Sequence, residues 1–165
     1  MKHLRLLAFS AGLFTLIASC NNATESTTET NETTMETTAQ DAEKAMRDVA
    51  DSYQAAYNNE DVAGLKNLFT ADAVRIEADG KTINGRDSIG KLYEDAFAAS
   101  DTKLVIMQQT AELQSDGSIH STGTWQVTGK TSAGEPLDRK GTYDVTDVQE
   151  GGQWKIKKQV ITEEK

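Results

Sequence analysis

The sequence is poor in the residues that usually build catalytic or metal centres. Its 165 residues hold one cysteine, one proline and two histidines, and aromatic side chains make up 6% of the chain. A single cysteine, Cys20, excludes an internal disulfide. One cysteine with two histidines cannot assemble a zinc-type ligand set, so no metal is expected. A basic surface is lacking too: 17 Lys and Arg stand against 26 Asp and Glu, a formal charge of −9. Such a balance disfavours nucleic acid and anionic headgroups as partners. There is no nucleophile elbow, phosphate-binding glycine loop or dinucleotide fingerprint, and no cofactor is expected.

What is present begins with Lys2 and Arg5 ahead of a moderately apolar run, Leu6 to Ala18. The run is too short to span a bilayer, which takes about 20 apolar residues, so residues 1–19 read as a targeting segment. It ends in Leu16-Ile17-Ala18-Ser19-Cys20, which resembles the lipobox of bacterial lipoproteins and implies lipidation of Cys20. Loss of residues 1–19 leaves 15 basic against 26 acidic side chains, a charge of −11. The expected location is the bacterial cell envelope, with a membrane as partner through the lipid anchor.

Residues 21–40 are almost wholly Thr, Glu and Asn, without an aromatic, and cannot bury enough apolar surface to order themselves. They read as a disordered tether spanning about 25 Å on average. The Asn-x-Thr triplets at Asn22 and Asn31 read as chance matches in a Thr-rich tract.

Residues 41–165 then form one domain. Met46, Val49, Tyr53 and Tyr57 recur at helical spacing, and Asn58-Asn59 ends that helix. Asp61 caps a second, short helix carrying Val62, Leu65, Leu68 and Phe69. After Thr70 the period becomes two, with Ala73, Arg75 and Glu77 on one face, and Asp79-Gly80 marks a hairpin. Asn84-Gly85 opens a third helix with Ile89, Leu92, Tyr93 and Phe97 on its apolar stripe. From Thr102 the chain reads as a meander of long strands. The fold class expected is α+β and cone-shaped, three N-terminal helices packed in a strongly curved antiparallel sheet, with Gly123 suited to a bend.

Three stretches carry a family resemblance: Ser52 to Asp61, Leu68 to Ala73, and Asn84 to Ile89. Together with Gly141-Thr142-Tyr143 and Gly151 to Ile156 they resemble the nuclear transport factor 2-like superfamily, nearest to SnoaL-like proteins and ketosteroid isomerases. The resemblance implies Tyr53 as hydrogen-bond donor to an oxyanion and Glu77 as general base. It also implies a third, protonated acid near Lys140 to Tyr143, where this chain has none. Arg75, on the same strand face as Glu77, would pair with the carboxylate and favour a structural role.

Three functions follow as expectations. The first is binding of a small, largely apolar ligand in a conical pocket lined by Tyr53, Tyr57, Phe69, Arg75, Trp125, Tyr143 and Trp154. The second is an isomerase, dehydratase or cyclase using Glu77 as base and Tyr53 as oxyanion donor, and Arg75 and the missing third acid weigh against it. The third is an interaction module, a homodimer or an envelope contact, through a polar sheet face carrying His120, Thr122 and Thr124.

Overall fold

A computed structural model describes residues 38–165; the leader, Cys20 and most of the tether lie outside the described residues. Helix α1 (Ala39–Asn58) opens on a capping box, in which the Asp41 amide donates to the Thr38 hydroxyl at 3.2 Å and the Thr38 amide donates to Asp41 Oδ2 at 3.1 Å. It buries Ala42, Met46 and Tyr53 along one stripe. Helix α2 (Val62–Asn67) is capped by Asp61, whose Oδ1 accepts from the Gly64 amide at 2.8 Å. Strand β1 (Phe69–Ile76) turns at Asp79-Gly80 into the three-residue β2 (Thr82–Asn84), and Gly85 leads into α3 (Arg86–Ala99).

Four long strands complete the chain: β3 (Ser100–Leu113), β4 (Ile119–Thr131), β5 (Pro136–Glu150) and β6 (Gln153–Glu163). The sheet order is β2-β1-β6-β5-β4-β3. The sheet is mixed, because β1 and β6 run parallel, where an antiparallel sheet was expected. Tight turns force the β3–β6 meander and the β1–β2 pair to be antiparallel. No local turn joins β1 to β6, so the direction of that pair is set only by how the chain returns.

The sheet curls around the helices. Where β5 passes β6, a Cβ on Gly141 would lie 1.8 Å from the Thr162 carbonyl oxygen, so only glycine allows so close an approach. The main core joins Tyr53, Leu65, Phe69, Ile89, Tyr93 and Trp125 to both layers, and a smaller cluster sets Ala42 and Met46 of α1 on Ile119. Strand β3 is an edge, yet part of its backbone is paired by α1. The Asn58 amide donates to the Leu104 carbonyl at 2.9 Å and accepts from the Leu104 amide at 2.7 Å, and Gln54 Oε1 accepts from the Ile106 amide at 2.7 Å. A helix thus supplies side-chain groups where a neighbouring strand would supply peptide groups.

Candidate ligand-binding site

Between α1, α3 and the concave sheet face lies a cavity of about 250 Å³. Its walls are mainly apolar, with Val49, Leu92, Leu104, Ile106, Val127 and Ile161 among them. It is at the small end for ligand sites, which usually run from about 300 to 1,000 Å³.

Arg75 is its polar centre. Alternation along β1 turns Ala73, Arg75 and Glu77 inward, and Arg75 is only 8% exposed. Its Nη1 donates to the Tyr93 hydroxyl at 2.7 Å, to the Tyr53 hydroxyl at 3.0 Å, and to Gln159 Oε1. Its Nε donates to Glu77, and its Cζ lies 5.4 Å from the Tyr93 ring centre. The two tyrosine hydroxyls also bond to each other. Burial disfavours the charged guanidinium, but Tyr93, Tyr53 and Glu77 outweigh it and keep the group charged. Burial drives the Tyr93 phenol well above its usual range, so it stays a neutral donor.

A second polar region lies on β4 and β5. Ser121 and Asp147 are each 2% exposed, and Asp147 is pushed up to about 7 by burial, with the Ser121 hydroxyl bonded to it and pulling the other way. Burial, and then the charge of Asp147, raise the Tyr143 phenol to about 12. Toward β5 the wall also holds Arg139, whose guanidinium makes a two-pronged pair with Glu163, 2.7 Å on the Nε side.

Of the residues expected here, Tyr53, Tyr57, Arg75, Glu77, Trp125 and Tyr143 line the cavity together. Tyr57 binds the Thr102 hydroxyl at 3.0 Å, and the Trp125 indole donates to the Thr142 carbonyl at 3.1 Å. Phe69 and Trp154 do not line it. Phe69 is fully buried at the start of β1, its ring 6.3 Å from that of Tyr53, and Trp154 packs on the Ala42–Met46–Ile119 cluster instead. His120 is on the outer face, where its Nε2 meets Asp144 Oδ2 at 2.9 Å; Thr122 bonds Thr110 there at 2.8 Å.

Among the polar groups here, Tyr93, Gln159, Ser121, Arg139 and Asp147 were not anticipated as site residues. For Asp147 the signal existed, since alternation from Tyr143 through Val145 puts it inward. For Gln159 alternation misleads: Thr146 pairs with Lys158 but Asp147 with Ile156, so Lys157 is an extra residue and Ile156 and Gln159 both face in.

Residues 38–160 match the SnoaL-like domain. The chain belongs to that family. No curated protein matches the sequence. Among solved structures, Aln2 from a Streptomyces species superposes with a TM-score of 0.68 at 18% identity, over 78% of this chain and 94% of that one. An uncharacterized protein with a cystatin-like fold from Caulobacter vibrioides gives 0.67 at 18% identity, over 75% and 90%. A provisionally assigned scytalone dehydratase from Novosphingobium aromaticivorans gives 0.67 at 20% identity, over 74% and 84%. At such identities the likeness is one of fold, and the SnoaL-like domain's chemistry has to be argued from its own side chains.

Proposed function

We propose that this SnoaL-like domain binds a small, largely apolar molecule in its cavity, and that it does so in the bacterial cell envelope, held to a membrane through Cys20. The observation that carries the binding reading is the state of Glu77. Its carboxylate is tied to Arg75, which also engages two tyrosines and Gln159, so the acid that family resemblance casts as a base is committed to an internal network. Breaking this partly buried pair would leave the Arg75 charge without its partner, which disfavours the use of Glu77 as a proton acceptor. The apolar walls remain available for burial of a ligand.

The test is native mass spectrometry of the full chain gently extracted from its own host. A bound small molecule, lost when Leu104 is replaced by Trp to fill the cavity, is expected. A bare mass, together with no uptake of a naphthol probe, would sink the reading.

One observation favours a second reading, proton transfer next to a carbonyl: Tyr53 and Glu77 do meet over the same cavity. A provisionally assigned dehydratase shares the fold. Turnover abolished by Glu77→Gln, on any substrate the bound molecule suggests, would establish it.

A further inference from the structure

Two buried polar atoms on β5, the Tyr143 hydroxyl at the cavity wall and Asp147 Oδ1 behind it, have no partner among the described residues. An unmet buried polar atom costs about 1–3 kcal/mol, so each of them calls for an explanation. Tyr143 lines the cavity, and so does Ser121, whose hydroxyl is bonded to Asp147. Ser121 thus lies between the cavity and the buried acid.

Register places this region relative to Arg75. Arg75 pairs with Gln159, Gln159 with Val145, and Val145 with Ser121, so these four form one row across the concave face. Strands lie about 4.8 Å apart, so the ends of the row are roughly 14 Å apart along the sheet, and closer across the curl. The polar ends are separated by Val145, with Trp125 and Ile156 beside it. The charges at the Arg75 end are already matched, Arg75 by Glu77, and nearby Arg139 by Glu163. A net charge on the ligand would be left unpaired there, and burying one is costly.

We infer that Tyr143 and Ser121, with Asp147 behind Ser121, form a second polar subsite for a hydroxyl of the ligand, whose other oxygen sits at Arg75 and Tyr53. The ligand class is then a neutral, compact molecule with oxygen functions at opposite ends. At the second subsite Tyr143 donates to the ligand hydroxyl, which in turn donates to Ser121 Oγ.

This rests on the binding reading above, and the test separates the two. The full chain is titrated by fluorescence with a naphthalene diol bearing hydroxyls at opposite ends, with the matching mono-ol, and with naphthalene. The diol is expected to bind about tenfold tighter than the mono-ol, the worth of one good hydrogen bond in a buried site. That ratio should fall to about one in Tyr143→Phe and in Ser121→Ala, and should persist in Thr124→Ala on the outer face. Melting curves establish that each variant is folded. Equal binding of diol and mono-ol to the unaltered chain overturns the inference while leaving the binding reading intact. Failure of all three probes to bind overturns both.

Discussion

Gly123 and Tyr143 face each other across β4 and β5, and the phenol occupies the space that a side chain on Gly123 would take: a Cβ there would lie 2.5 Å from the Tyr143 hydroxyl oxygen. Glycine at this point therefore sets where Tyr143 lies. In Gly123→Ala the ring must move. Overpacking of this kind costs about 1–3 kcal/mol, and the displaced hydroxyl should lose its place in the cavity. Urea denaturation and the diol-to-mono-ol ratio measure the two effects; a variant unchanged in both would contradict the assignment.

Arg75 holds the inner network together, and its loss leaves the Glu77 carboxylate, two phenols and Gln159 without a shared donor. Arg75→Met is expected to cost about 3–5 kcal/mol. Glu77→Gln should cost less, because the Glu77 side chain is 25% exposed and can still accept a hydrogen bond. Denaturation midpoints of the two variants decide the order, and a harmless Arg75→Met would show that the network contributes nothing to stability.

How stability varies with pH should report on Asp147. Its carboxyl sits at about 7 in the fold, through burial, against an ordinary 3.8. The folded state therefore binds the proton more tightly than the unfolded chain does. The resulting stability is fully present below about pH 4, is lost as the pH rises toward 7, and changes no further above it, a total of roughly 4 kcal/mol. Asp147→Asn should flatten that slope and be the more stable protein at pH 8. Urea midpoints between pH 5 and 8 that run parallel in the two proteins would rule this out.

The anchor can be tested apart from the fold. In a bacterial host the full chain should partition into the detergent phase of a cloud-point extraction, and Cys20→Ala should move it to the aqueous phase. Equal partitioning of both would remove the lipid from the proposal.

Much of the architecture was legible because periodicity records which face is buried. Met46 and Tyr53 at helical spacing, and Ala73, Arg75 and Glu77 at alternation, point inward as their spacing implies. What escaped was non-local. Facing inward does not say what a residue faces, and the concave side holds both a cavity and two packed clusters, so Phe69 and Trp154 went to packing. The extra residue at Lys157 changes the phase of β6 and hid Gln159. The parallel β1–β6 pair joins segments some eighty residues apart, beyond the reach of any turn signal.

The side chains of Asn58 and Gln54 have a consequence for how copies of the domain behave near one another. Strands left with open peptide groups recruit further strands, and molecules confined to a surface meet often. Here one border of the sheet has part of its peptide groups occupied by α1, and the opposite border, β2, is three residues long. The stretch of β3 around Leu104 and Ile106, and the short β2, are poor templates for sheet extension. Edge-to-edge pairing of crowded copies is therefore opposed at these places, and a variant such as Asn58→Ala should form fibrils or swapped oligomers sooner than its loss of stability alone would explain.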